Sequence, residues 1–144
     1  MIVWKAVRYS WRDGRATMLS AVVDDDVWTL SYKLGEQTYP KEGSAIYAFP
    51  DQSHALQFGR RETVNKYGIV ILECEAWPSN IFTSTQPLYC TRSLPDEIAE
   101  WWRSQEYRET YSGHAPLGTV MVEWVKPTKA SIWLPEVMRL EEMK

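Results

Sequence analysis

The run from Tyr67 to Trp77 limits the fold of this chain more than any other segment. It carries consecutive β-branched residues at Ile69, Val70 and Ile71, and Pro78 stops it. β-Branched residues fit the pleated surface of a sheet, and proline cannot donate to a strand ladder. The segment therefore predicts a long strand at a central position in a β-sheet, and other segments must supply its neighbours.

Three segments that precede this strand also have strand composition: 2–9, 16–23 and 27–34. Asp13-Gly14 marks a turn between the first two, and three consecutive aspartates at 24–26 favour an exposed loop before the third. In the third segment every second residue is apolar, which places one face toward a core. The residues of that face are Trp28, Leu30, Tyr32 and Leu34. An antiparallel three-stranded meander is the simplest arrangement.

The rest of the chain predicts two helices and further strands. A short strand at 45–49 leads into a helix whose start is capped by Asp51 or Ser53 and whose end carries Arg60 and Arg61. A second helix is expected from Ser93 to about Tyr107, with Pro95 in its first turn.

A second hairpin is expected at the C-terminal end. Its strands are 119–125 and 130–134, and its turn is Lys126-Pro127-Thr128-Lys129. Segment 110–118 reads as a loop, 79–92 as a short strand or a long loop, and 136–144 as a short helix or a frayed tail. Together these elements predict one α+β domain over residues 1–144, built mainly from an antiparallel twisted sheet with two or three short helices.

Charge and composition narrow the function classes. The 144 residues carry a formal net charge of −3, which argues against general nucleic-acid binding. No apolar run is long enough to span a bilayer and no secretory signal pattern is visible, so we expect a cytoplasmic protein that does not bind membranes. The two cysteines, Cys74 and Cys90, are expected to be reduced and buried. No His or Cys spacing predicts a metal site, and no glycine-rich phosphate loop predicts a cofactor.

Glu73-Cys74-Glu75 forms a Glu-x-Glu element, which puts both carboxylates on one face of a strand, about 7 Å apart. The element resembles that of ADP-ribosyltransferases, and the resemblance implies that Arg8 on an early strand and Tyr47 on a middle strand complete the catalytic set. The Ser-Thr-Ser segment of those enzymes is missing from this sequence. Charged side chains turned to solvent at a strand end explain the same pattern.

Residues 32–77 resemble small uncharacterised phage and prophage accessory proteins. The shared pattern is a Tyr-Lys-apolar-Gly turn at 32–35, a proline loop, the short strand at 45–49 and a helix with Ala55 and Phe58. These are mostly turn and packing residues, so the resemblance implies an origin on a mobile element and does not specify an activity.

Aromatic residues provide the other candidate surface, because the chain has eight tryptophans. Adjacent helical residues point about 100° apart, so Trp101 and Trp102 cannot both face the core, and one of them should lie at its rim. Tyr107 and Arg108 continue that surface. Arg60 or Arg61 beside Tyr47 or Tyr32 would form a place where a nucleotide base stacks and its phosphate is held.

These observations favour a non-enzymatic binding protein of phage or mobile-element origin. It would capture a host protein or a small nucleotide-like ligand, in a counter-defence role. One alternative is an ADP-ribosyltransferase-like enzyme or a degenerate NAD-binding or nucleotide-binding relative. Another is a structural protein that self-assembles into a homo-oligomer through its aromatic surface.

Overall fold

Three long antiparallel strands form the centre of the fold. The computed structural model describes residues 1–12, 15–20, 28–41, 43–62, 68–79, 85–87, 95–104, 106–107, 112–114 and 119–134. Strands β1 (Ile2–Arg12) and, later in the chain, β5 (Gly68–Pro78) and β8 (Val120–Leu134) lie side by side with β5 in the middle. The sequence prediction of a central strand at 67–77 is therefore confirmed.

Shorter strands extend the sheet on both sides. Strands β2 (Arg15–Ser20) and β3 (Ser31–Tyr32) follow β1, and β4 (Ile46–Ala48) pairs with the far side of β8. The sheet order is β3-β2-β1-β5-β8-β4, with every neighbouring pair antiparallel. The predicted meander corresponds to β1, β2 and β3.

Two helices and a small second sheet complete the described elements. Helix α1 (Gln52–Glu62) lies between β4 and β5, and α2 (Pro95–Arg103) precedes β8. Strands β6 (Thr85–Pro87) and β7 (Ser112–His114) pair antiparallel with each other. The α+β prediction, mainly an antiparallel sheet with two helices, is confirmed.

The predicted second hairpin is wrong, because β8 runs through the expected turn as one strand. Register shifts along its pairing with β5 absorb the irregular residues, and one of these shifts brings Pro127 opposite Cys74. Proline is tolerated in a strand at such bulges. The Pro127 carbonyl in turn accepts a hydrogen bond from the Gly35 amide at 2.7 Å. A long partner strand thus overrides a local turn signal.

Three smaller expectations also differ from the structure. Within 28–34, the described part of the expected strand, strand pairing is confined to β3, and Leu34 is 51% exposed because the chain turns at Gly35, whose φ is 82°. Helix α2 ends at Arg103, and after a break at Ser104 the residues Glu106 and Tyr107 are again helical. The expected loop at 110–118 contains β7. The predictions for Cys90 and for residues 136–144 lie outside the described residues.

The sheet curls, so that the segments following its two edge strands, β4 and β3, form backbone hydrogen bonds with inner strands. Phe49, directly after β4, exchanges two backbone hydrogen bonds with Trp4 of β1, at 2.7 and 2.9 Å. Thr38, in the segment after β3, does the same with Val125 of β8. The curl encloses an apolar inner face to which six strands contribute. Its buried residues are Val3, Val7, Tyr9, Met18, Tyr32, Ile46, Ala48, Val70, Leu72, Cys74, Ala76, Val122 and Val125.

Helix α1 covers the outer face of the sheet. It packs over Ala6, Ile69 and Ile71. A Cβ placed at Gly59 would come within 2.9 Å of Ile69 Cγ2, so glycine permits the close approach of helix and sheet. At the helix start the Asp51 carboxylate accepts hydrogen bonds from the His54 amide and the Ser53 hydroxyl, both at 2.8 Å, which confirms the predicted cap.

Replacing Gly68 by alanine is expected to destabilise the fold. A Cβ at this position would overlap the ring of Tyr9, its cross-strand partner, which is buried and packs edge-on against Trp133. We expect a loss of roughly 1–3 kcal/mol in the free energy of unfolding, measured by urea denaturation. In a Tyr9→Leu background the same change should cost far less. An equal cost in both backgrounds would contradict the overlap.

Candidate functional site

Helix α2 presents two adjacent tryptophans in different environments. Its first turn holds Asp96 and Glu97 and its last turn Arg103, a charge order that matches the helix dipole. Trp101 is completely buried, and Ile98, one turn earlier, is buried with it. Trp102 is partly exposed and meets Trp101 edge-on, with ring centroids 4.9 Å apart. The spacing argument for these two residues is therefore confirmed: one ring is in the core and the other lies at its rim.

Tyr47 of β4 adds a third ring to this group. Its register partner on β8 is Met121, and its ring is tilted by 45° against Trp102 at a centroid distance of 6.0 Å. Tyr47 and Trp102 are both partly exposed, whereas Trp101, which contacts the Trp102 ring, is completely buried. We name Tyr47, Trp101 and Trp102 the aromatic cluster. It consists of two accessible rings backed by a buried one.

The other predicted binding residues have different positions. Tyr107 is partly exposed, and its amide donates to the Ser104 hydroxyl at 3.2 Å. Arg108 lies outside the described residues. Arg60 and Arg61 are exposed on the last turn of α1. Tyr32 belongs to the inner face while α1 covers the outer face, so the expected meeting of Tyr32 with these arginines is wrong.

The four residues of the ADP-ribosyltransferase interpretation do not form one site. Glu73 and Glu75 share a face of β5 with Ile69 and Ile71, as the alternation predicts, and they stand opposite Lys129 and Lys126 of β8. Arg8 is only 4% exposed and pairs with Ile69. About 13 Å of strand therefore separates Arg8 from Glu73. Tyr47 lies on β4, with β8 between it and the two glutamates.

The Asp51–His54 pair stabilises the start of α1. The His54 ring contacts the second oxygen of the Asp51 carboxylate. The hydrogen bonds of His54, first from its amide and then from its ring, together with that of the Ser53 hydroxyl, lower the pKa of Asp51 to about 2. A carboxylate at this position satisfies free amides of the first turn.

One charged group on the inner face was not expected from the sequence. Lys5 alternates with Val3 and Val7 along β1 and so points toward the enclosed core. Its amine donates to the Tyr47 carbonyl at 2.6 Å and lies 6.0 Å from the centre of the Tyr32 ring. Burial lowers the pKa of Lys5 to about 8 and raises the pKa of the Cys74 thiol to about 12. The signal in the sequence was a lysine at an apolar position of a strand.

Among the described residues, no group of three His, Cys, Asp or Glu side chains is arranged to hold a metal ion. None of the helices in that part of the chain is long and apolar enough to cross a membrane.

No protein-family model, curated protein or solved structure matches the chain.

Proposed function

We propose that this chain is a non-enzymatic binding protein that docks on a partner protein through the aromatic cluster. The observation that carries the proposal is the accessible ring pair Tyr47–Trp102, seated on the buried Trp101. It follows that Trp102 is the main contact residue and that Trp101 holds it in place.

Two accessible rings on rigid supports suit protein recognition. Tryptophan and tyrosine dominate the energetics of protein interfaces because they bury large areas at little cost in side-chain entropy. Here Tyr47 is fixed by the ladder between β4 and β8, and Trp102 by its edge-on contact with Trp101. Neither ring needs to become ordered on binding, so little of the contact energy is lost.

The net charge indicates the kind of partner. With a formal charge of −3, the chain is attracted to basic surfaces at long range, which raises the rate of association. A partner with an apolar pocket beside a basic rim therefore fits the proposal best. An origin in a phage or mobile element and a counter-defence role stay predictions from the resemblance of residues 32–77. A site of action in the host cytoplasm stays a prediction from the sequence pattern.

The proposal is tested by affinity capture from cells of the source organism. We compare the wild-type chain with Trp102→Ala and Trp133→Ala. Trp133 is a matched control because it is 44% exposed, meets a tyrosine ring edge-on and lies at the other end of β8. A protein that is retained by the wild type and by Trp133→Ala, and lost with Trp102→Ala, is the expected result.

A second arm separates the alternatives. The purified chain is screened by thermal shift against nucleotides, cyclic nucleotides and NAD fragments, and its mass is measured in native buffer. A stabilisation of about 2.7 kcal/mol at a ligand concentration 100 times the dissociation constant would favour capture of a small ligand. An oligomer that dissociates with Trp102→Ala would favour self-assembly. Either result would overturn docking on a partner protein.

A further inference from the structure

One end of the outer face of the sheet is left uncovered by α1. The helix packs over the first part of β5, and further along that strand the same face continues through Glu73 and Glu75 to Trp77. Trp77 is 59% exposed, and Met1 and Ile2, beside this end of β5, are 54% and 48% exposed. Exposed apolar side chains that lie together mark an interaction surface more often than single ones do.

Three cross-strand pairs between β5 and β8 determine the chemistry of this end. One pair places tryptophan opposite tryptophan, and in the other two a glutamate of β5 stands opposite a lysine of β8. The pairs are Trp77–Trp124, Glu75–Lys126 and Glu73–Lys129, and we name these six residues the paired face. The ion pairs among the described residues lie at α1 and α2 and include none of these four charges. The paired face therefore presents a row of acids beside a row of bases, with an aromatic pair at one end.

The paired face is complementary to itself about a two-fold axis. In a two-fold symmetric dimer the same patch on each subunit forms the interface, so that residue i contacts residue j and j contacts i. An axis that lies in the interface, parallel to the strands and midway between β5 and β8, brings each residue of β5 opposite its own register partner on the second subunit. Glu75 then lies against Lys126 of the partner subunit, and Trp77 against Trp124 of the partner subunit. Sheets packed face to face keep their strands nearly aligned, as this axis requires.

The residues beside the paired face match in the same way. Met1 and Ile2 lie on the β1 side of β5, and Tyr39, which is 57% exposed, lies beyond β8, next to the bridge between Thr38 and Val125. The axis exchanges the two flanks, so the apolar flank of Met1 and Ile2 on one copy meets the flank of Tyr39 on the other. The two glutamates and two lysines of the paired face sum to zero charge, so the face does not repel its copy although the whole chain carries −3.

We propose that the paired face is the interface of a homodimer, in which two copies of this chain pack face to face about the two-fold axis. The tryptophan pair forms its apolar part, and two Glu–Lys contacts run in each direction between the subunits. This inference goes beyond docking on a partner protein, because the aromatic cluster lies on β4 and α2 and shares no residue with the paired face. The dimer therefore does not depend on what Trp102 binds.

Sedimentation equilibrium of the purified chain over a range of concentrations measures the dimer dissociation constant. We compare the wild type with Trp77→Ala, Trp133→Ala and Trp102→Ala. Trp133 is the matched control, because it is also exposed and lies at the other end of β8. We expect Trp77→Ala to raise the dissociation constant ~10-fold or more, as for a tryptophan that anchors an interface, while the other two variants stay within about threefold of the wild type.

Charge exchange tests the symmetry of the interface. In Glu75→Lys the two subunits bring lysine against lysine, and in Lys126→Glu they bring glutamate against glutamate, so each variant alone should dimerise ~10-fold or more weakly than the wild type. An equimolar mixture of the two variants should recover an affinity within about threefold of the wild type, because every exchanged contact between the two different chains is again Lys with Glu. The like-charge pair within each chain persists in the mixture, so its effect on the fold cancels.

Recovery in the mixture, together with weaker dimerisation of Trp77→Ala, supports the homodimer. A wild-type chain that stays monomeric at ~0.5 mM, where a dissociation constant of ~1 mM would still leave a visible fraction of dimer, overturns it. A dimer that Trp77→Ala leaves intact, or that the mixture fails to restore, overturns it as well. A dimer lost with Trp102→Ala and kept with Trp77→Ala would place self-association at the aromatic cluster, and would contradict the docking proposal too.

Discussion

Replacing Trp101 by alanine is expected to lower the free energy of unfolding by about 3–5 kcal/mol. The side chain is completely buried, and the helix position beside it, Trp102, rests against its ring. Removal of the ring would leave a large cavity under α2. A helix of nine residues can shift only a little to fill such a cavity. Urea denaturation followed by far-UV circular dichroism measures the loss.

The matched control is the neighbouring position. Trp102→Ala removes a partly exposed ring from the same helix, so its cost should be clearly smaller, with less apolar area returned to water. The two variants also differ in what they do to binding, since Trp102→Ala should remove the contact and keep the fold. If Trp102→Ala costs as much stability as Trp101→Ala, the assignment of core and rim is wrong.

Lys5 is expected to make the stability of the fold rise with pH. Its pKa falls from 10.5 in the unfolded chain to about 8 in the folded one. Between these values the unfolded chain holds a proton that the folded chain has released, so raising the pH favours folding. Relative to a Lys5→Met variant, the wild type should gain about 2 kcal/mol between pH 7 and pH 10, with allowance for its partial exposure.

The variant comparison is needed because other buried groups act in the opposite direction. Burial raises the pKa of Cys74 to about 12, and it also raises the pKa of Tyr32. Their stabilisation is lost as the pH rises above the values of the unfolded chain. Both groups are present in wild type and variant, so the effect of their own burial cancels in the difference, which reports Lys5 together with its charge interaction with Cys74. Loss of the hydrogen bond to the Tyr47 carbonyl lowers the stability of the variant.

Urea denaturation of both proteins across this pH range provides the measurement. A difference in stability that does not change with pH would contradict the lowered pKa of Lys5, because it would show that the amine titrates in the folded chain as it does in water.

The parts of the fold that follow from local patterns could be predicted. The β-branched run of β5, the strand composition of β1 and the Asp51 cap each specify structure within a few residues. The course of β8 could not be predicted, because Lys126-Pro127-Thr128-Lys129 reads locally as a turn. The pairing with β5, over fifty residues away in the chain, and the hydrogen bond from Gly35 to the Pro127 carbonyl hold it in a strand.

The same distinction between local patterns and distant pairing applies to the candidate sites. Helical spacing separated the buried Trp101 from the accessible Trp102 without any knowledge of the fold. The approach of Tyr47 to Trp102, and of Lys5 to the Tyr47 carbonyl, depends on the curl of the sheet, which no local pattern encodes. For Arg8 the local prediction fails. The resemblance to ADP-ribosyltransferases implied that Arg8 belongs to a catalytic set, whereas its position in the strand ladder buries its side chain.

The affinity of the captured partner for three forms of the chain tests the central claim most directly. Titration calorimetry with the wild type, Trp102→Ala and Trp133→Ala gives three dissociation constants under one set of conditions. We expect Trp102→Ala to weaken binding ~30-fold or more, as for an interface residue worth about 2 kcal/mol, while Trp133→Ala stays within about threefold of the wild type. Equal affinities for the wild type and a folded Trp102→Ala variant would contradict the claim.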